Sequence, residues 1–210
     1  MENLDRLRDA ILNGDADAAR TLTEQALAAG VDPMRLVNEY MIPAMAETGR
    51  RFECNEFFVP ELLIAARAMK AALSLVRPLL AASGIPPVAR VVLGTVRGDL
   101  HDIGKNLVGA MLEGNGFEVI DLGVNVPPER FVETAREKGA RIVAMSALLT
   151  TTMPAMRTTI ELLEASGLRP AMTVLVGAPV TQRFATEIGA DGYSDNAVGA
   201  VTEARRVLAA

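Results

Sequence analysis

From Ala89 onward, short β-branched runs alternate with stretches of helical periodicity, and this alternation narrows the fold more than any other feature of the chain. The runs are Val91-Val92-Leu93, Phe117 to Leu122, Ile142 to Ser146 and Thr173 to Val176, with a shorter candidate near Gly192-Tyr193. Helical patterns lie between them, at roughly 104–115, 128–138, 153–166, 181–188 and 196–208. Near-continuous apolar strands must be buried on both faces, and strands alternating with helices are joined by crossovers. The expectation is an α/β domain, a doubly wound five-stranded parallel sheet. Ligands of such sheets bind beyond the carboxyl ends of the strands, so chemistry is to be sought just after each strand.

The first 80 or so residues read as helix only. Asp32-Pro33 pairs a capping side chain with proline at the first helical position. Gly14, Gly30 and Gly49 each stand where a helix could stop. The best pattern runs from about Val59 to Leu80, where Leu62, Ala66, Met69, Leu73, Val76 and Leu80 form one apolar stripe. Four helices in short-loop succession make an all-α four-helix bundle. Ala82-Ser83-Gly84-Ile85-Pro86-Pro87 cannot continue a helix and reads as a linker and hinge. The expected organisation is a helical domain over 1–82, a linker over 83–88 and an α/β domain over 89–210.

Composition excludes several classes of function. The chain has 210 residues, with 21 basic against 26 acidic side chains and a net charge of −5. No basic cluster stands out, which argues against a nucleic-acid partner. An acidic surface suits docking to other proteins. No run approaches the ~18 apolar residues of a membrane span. Charges follow Met1 at once, so a secretory signal is not expected. The single Cys54 permits no internal disulfide, which fits a reducing cytoplasm, and a lone cysteine reads as a small buried hydrophobe.

After the first strand the chain runs Gly94-Thr95-Val96-Arg97-Gly98-Asp99-Leu100-His101-Asp102-Ile103-Gly104-Lys105-Asn106, with three glycines around the only histidine. Gly104-Lys105 is followed by asparagine and lacks the upstream glycine of a phosphate loop, and G-x-G-x-x-G is absent. Zinc would need more ligands than one histidine and one distant cysteine. A lone histidine is ordinarily a surface or hydrogen-bonded residue. Here Asp99 lies two positions ahead, where its carboxylate can take up the proton of one ring nitrogen and leave the other to bind a metal.

The segment Gly94 to Asn106 resembles the D-x-H-x-x-G signature of the cobalamin-binding modules of methionine synthase, B12-dependent mutases and corrinoid methyl carriers. Asp99, His101 and Gly104 match it residue by residue. The resemblance implies a flavodoxin-like cobalamin-binding domain in which His101 replaces the cofactor's own benzimidazole beneath cobalt, as the metal ligand. Gly98, Asp99, Leu100, Asp102 and Gly104 would be cofactor contacts beside it. Asp121 to Pro128 is similar to the family's second strand and following turn, and Ser146 to Met153 to its third strand end. That match makes Ser146, Leu148 and Thr150 cofactor contacts, and Thr152 the hydroxyl that extends the Asp–His pair, although Thr152 could instead cap the helix before Pro154. Val176 to Thr181 resembles the loop after the fourth strand, but only Gly177 stands where corrinoid carriers show two glycines. Gly177 and Ala197 would border the slot for the nucleotide tail. Gly49 to Leu63 resembles the cap domain of corrinoid methyl carriers, in which Phe58 and Leu62, with Leu63, would lie over the upper face of the cobalt. An ordinary bundle core explains the leucines equally well.

The resemblance covers nearly the whole chain, and 210 residues cannot hold the barrel of a mutase. It implies a methyl-carrier subunit of one-carbon metabolism that is cytoplasmic and catalyses nothing by itself, its cobalt cycling between Co(I) and methyl-Co(III). Its implied partners are a substrate:corrinoid methyltransferase, an acceptor methyltransferase acting on a folate or thiol, and a reductive activator. The alternatives are a cobalamin-dependent sensor, which usually adds a DNA-binding helix-turn-helix, and a cobalamin storage protein. The methyl donor, the acceptor and the oligomeric state are not legible in the residues.

Overall fold

The structure, a computed structural model, describes residues 2–84, 86–177 and 180–209. Ile85 of the expected linker, and Ala178 and Pro179 after the fourth strand, lie outside the described residues. The chain divides into two compact units, Met1–Pro87 with Glu113–Gly116, and Val88–Leu112 with Phe117–Ala210.

The first unit is helical, with α1 (Glu2–Leu12), α2 (Ala16–Ala28), α3 (Pro33–Leu36), α4 (Ile42–Glu53) and α5 (Val59–Ala82). A π-helical turn over Val37–Met41 joins α3 to α4, so the described residues form four rods, as the sequence led us to expect. Asp15 and Asp32 cap α2 and α3 by accepting from the Ala18 and Arg35 amides. Gly14 and Gly30 take φ of +74° and +79° where α1 and α2 stop. The Ile42 amide reaches back to the Val37 carbonyl. Pro43, one residue on, has no N–H to continue the ladder, which is a physical reason for the widened turn.

Two expectations fail in this unit. Gly49 does not end a helix but lies buried inside α4. Glycine within a helix costs only about 1 kcal/mol, less than the packing of the buried face it shares with Met45 and Thr48. The stop comes at Asn55, which adopts φ +58° in place of a glycine. Cys54 is exposed rather than buried. It caps the end of α4 beyond the last buried turn, its Sγ 3.7 Å from Arg50 Nη1.

The second unit alternates strand and helix, β1 (Arg90–Thr95), α6 (Ile103–Gly114), β2 (Glu118–Asp121), α7 (Pro128–Lys138), β3 (Ile142–Ser146), α8 (Pro154–Ala165), β4 (Thr173–Gly177), α9 (Gln182–Glu187), β5 (Gly192–Ser194) and α10 (Ala197–Ala209). All pairings are parallel, in the order β2-β1-β3-β4-β5. The sheet is the doubly wound one expected, and every expected run supplies a strand, the second shortened from 117–122 to Glu118–Asp121. Val92, Val143 and Val174 pack on one face with Phe131, Met156 and Leu163. Gly94 is required there, since a Cβ would stand 2.8 Å from Phe131 Cζ. The chain leaves β1 for β2 on one side and continues from β3 on the other, so the switch point lies between β1 and β3. Thr95, Ser146, Gly177 and Ser194 stand in register along the carboxyl edge.

Candidate functional site

The loop from Val96 to Asp102 leaves β1 at this switch point. Val96 still pairs with Val126, and its amide donates to the Ser146 carbonyl. Gly98 then turns the backbone with φ +84°, a conformation that suits glycine. A Cβ there would also meet Thr152 Cγ2 at 3.4 Å. The Thr95 hydroxyl donates to the His101 carbonyl at 2.8 Å and closes the loop on its own strand.

The loop presents two side chains with opposite surroundings. Asp99 is fully buried, whereas the His101 side chain is 50% exposed. Their contact is 2.6 Å, between Asp99 Oδ1 and His101 Nδ1. The His101 amide also donates to Oδ1, at 3.1 Å. Oδ2 accepts from the Leu148 amide at 2.7 Å, the Leu149 amide at 3.2 Å and the Thr152 hydroxyl at 2.7 Å. Burial pushes the Asp99 carboxyl up. The bonds from the His101 amide, the Thr152 hydroxyl, the His101 ring and the Leu148 amide outweigh it and hold the group well below the ordinary carboxylate range. An ionised carboxylate only accepts, so the proton of the contact sits on Nδ1, and in the neutral ring the lone pair is the one on Nε2. That second nitrogen can bind a metal.

The sequence-predicted residues fall into four groups. Asp99, His101, Leu148 and Thr152 meet in one hydrogen-bond network. The Thr152 hydroxyl is on Asp99 and on the Leu149 carbonyl, and α8 has no side-chain cap. Gly98, Leu100, Asp102 and Thr150 are exposed on the loops around it, Gly104 is exposed in the first turn of α6, and Asp102 accepts from the Asn106 amide side chain at 3.1 Å. Ser146 and Gly177 are half-buried at the sheet edge, while Ala197 is buried at the start of α10. In the first unit Phe58 is 61% exposed ahead of α5, with Leu63 also exposed, while Leu62 is fully buried. Glu61 reaches back to cap the Phe58 amide at 2.9 Å, which fixes the chain as it enters α5.

Two residues that sequence reasoning left without a role are at this site. Lys105 is buried in the first turn of α6, ion-paired with Asp121 at the end of β2 and bonded to Asn106. Asn125, in the turn before α7, holds the backbone of Gly98 and Asp99. A lysine 16 residues ahead of its aspartate partner gave no local signal for the first. An asparagine in a tight turn was a weak signal for the second.

Leu100 and Ile103 are 70% and 81% exposed, and Val124, Leu148 and Leu149 are exposed as well, all on loops at the carboxyl edge except Ile103, which opens α6. An apolar surface presented by adjoining loops marks a binding site. Among the described residues no three histidine, cysteine, aspartate or glutamate side chains converge. A bare metal ion therefore finds no cage among them. One imidazole set in an apolar surface fits instead a metal whose other positions a planar macrocycle already fills. Fold and site thus fit the corrinoid-binding type of protein that the resemblance at Asp99, His101 and Gly104 implies.

Comparison with known proteins agrees. Residues 89–202 match a family described as B12 binding domain, and residues 4–77 match a second family of the same description. The chain is 41% identical over 210 residues to trimethylamine corrinoid protein 1 of Methanosarcina acetivorans, covering 99% of this chain and 97% of that one. A cobalamin-binding protein from Desulfitobacterium hafniense superposes with a TM-score of 0.80 and 34% identity, covering 97% of each chain. The methanol:cobalamin methyltransferase complex of Methanosarcina barkeri gives a TM-score of 0.87 at 28% identity, covering 99% of this chain and 80% of that one. The chain belongs to the family of B12-binding corrinoid proteins, and its cofactor is cobalamin. Among the described residues no helix is long and apolar enough to cross a membrane.

Proposed function

We propose that this chain is a methyl carrier, presenting its cobalamin first to a substrate:corrinoid methyltransferase and then to an acceptor methyltransferase. The names of its relatives, a trimethylamine corrinoid protein and a methanol:cobalamin methyltransferase complex, support that class of partner. A folate- or thiol-specific acceptor enzyme and a reductive activator complete the proposed set. When bound, the cofactor supplies a cobalt centre that takes up and releases a methyl group as its oxidation state changes. The protein supplies position, shielding and axial tuning.

In the proposed binding mode His101 Nε2 would hold the cobalt in place of the cofactor's own benzimidazole. The observation that carries this reading is the 2.6 Å contact of Nδ1 with a fully buried Asp99. It keeps the proton on Nδ1 and makes the imidazole a stronger donor. The Thr152 hydroxyl and the Leu148 and Leu149 amides hold the carboxylate against rotation. Leu100, Leu148 and the backbone at Gly98, Asp102 and Gly104 would face the ring, and Ser146, Thr150, Gly177 and Ala197 would border the nucleotide tail. We assign the cap role to residues 1–82, with Phe58 and Leu63 as its exposed apolar contribution and Leu62 as packing beneath them. The hinge is assigned to 83–88.

His101 is the only histidine, so histidine labelled with nitrogen-15 in the ring marks this one side chain in an untagged protein. The protein is loaded with cobalamin and reduced to Co(II). The nitrogen splitting in its electron paramagnetic resonance should change with the isotope, and that dependence on the label should be lost in His101→Ala. A splitting indifferent to the label refutes the axial assignment.

A further inference from the structure

We infer that Asn125 is a positioning residue for the axial histidine, clasping the His101 loop by its backbone from the β2 side. The inference rests on the reading of His101 as axial donor. Asn125 lies between β2 and α7 with φ +53°, a left-handed conformation that asparagine tolerates better than most side chains. Its Oδ1 accepts from the Gly98 amide at 2.8 Å. Its own amide donates to the Asp99 carbonyl at 2.9 Å. Both bonds grip the backbone directly ahead of Leu100 and His101.

The turn that carries Asn125 is itself anchored. The Thr95 amide donates to the Gly123 carbonyl, and the Val126 amide donates to the Thr95 carbonyl, both at 2.9 Å. Asp121 Oδ1 accepts from the Gly123 amide at 2.9 Å, and its other oxygen pairs with the buried Lys105. The β2–α7 turn is thus a fixed jaw. Gly98, at φ +84°, is the residue of the loop with the most backbone freedom, and Asn125 is what it bonds. The network around the Asp99 carboxylate fixes where its oxygens sit, and the Asp99 amide donates to the Val96 carbonyl at 3.1 Å, but neither holds the Gly98 amide or the Asp99 carbonyl, which Asn125 takes. With that backbone held from the opposite jaw, the line from Oδ1 through the imidazole to Nε2 has one direction.

Asn125→Gly permits the same φ but removes the acceptor, while Asn125→Asp keeps an acceptor oxygen and tolerates the backbone. Each variant and the wild type are loaded with cobalamin, reduced to Co(II), and titrated with acid while the histidine nitrogen splitting is followed. Loss of one ordinary hydrogen bond behind the donor should weaken ligation roughly fivefold, so that acid displaces the imidazole in Asn125→Gly about 0.7 pH unit higher than in wild type. Asn125→Asp should titrate with wild type. A Gly variant that titrates with wild type overturns the inference, and so does an Asp variant that shifts as far as Gly. A Gly variant whose far-ultraviolet circular dichroism departs from wild type also overturns it, because the residue would then serve the fold rather than the donor. Absence of a histidine nitrogen signal in wild type is a different result, and refutes the axial reading itself.

Discussion

Asp99→Asn should cost the second unit roughly 2–4 kcal/mol at neutral pH and flatten its response to acid. The carboxylate is fully buried and its oxygens face only donors, the His101 amide and ring on Oδ1, and the Leu148 and Leu149 amides and Thr152 hydroxyl on Oδ2. Whichever way an asparagine amide turns, its NH2 meets one of these sets. With NH2 toward the Oδ2 set the two amide bonds are lost, and with NH2 toward the Oδ1 set the His101 amide bond is lost and the ring must change tautomer, each bond to a charged acceptor being worth about 1.5–3 kcal/mol. Asparagine avoids the desolvation of a buried charge, which offsets part of that loss and leaves the net figure above. Because its hydrogen bonds outweigh its burial, Asp99 titrates below the ordinary carboxylate range. A folded-state value below the unfolded value of about 3.9 stabilises the fold in full above that pH, and the stabilisation drains away as pH falls toward the folded value. The asparagine variant lacks the group, so the gap between the two proteins should narrow below about pH 4. Urea-dependent amide hydrogen exchange in β1 and β3 of the cobalamin-free protein reads this unit alone. Equal protection at pH 7, or a gap that widens on acidification, refutes the reasoning.

Two further substitutions test the packing that supports the site. Thr134 Oγ1 is the one buried side-chain polar atom without a hydrogen-bond partner among the described residues. Thr134→Val should therefore gain about 1 kcal/mol in urea unfolding, and a loss would show that the hydroxyl has a partner. Gly94→Ala drives a methyl into Phe131 and Val126 Cγ2, and should cost about 1–3 kcal/mol by the same assay. No loss there would mean that Phe131 can move aside.

The second unit was legible because each strand is a short apolar run and each helix a 3.6-residue pattern, and both signals are local. The expected Ile142 to Ser146 is β3 itself, and 128–138 is α7 itself. The Asp99–His101 pair was legible for the same reason, two residues apart in one loop. What escaped depends on partners distant in sequence or on a register that no single residue announces. Gly49 reads as a stop until its neighbours are seen to bury it, and Asn55 reads as ordinary polar until its φ is known. Asn125 could not be tied to Gly98 from sequence, because 27 residues separate the two ends of that bond. Thr152 was read both as a helix cap and as a partner of Asp99, and only the fold, which brings it across 53 residues of sequence, separates the two.

A ligand donor faces contradictory demands. It must be exposed to reach a cofactor, and exposed loop side chains lose entropy when fixed. Here the demands are divided between two residues. Asp99 is buried and held by five bonds, while its partner ring stands half in solvent. The imidazole needs no packing of its own, because its orientation is inherited through Nδ1 from a carboxylate that cannot turn. The position of the switch point completes the logic. Loops from β1 and β3 diverge there, so the carboxylate can be gripped from the β3 side and its backbone from the β2 side without either grip covering the ring. A loop on an outer strand would have a jaw on one side only, and this is a physical reason for a donor after an interior strand such as β1.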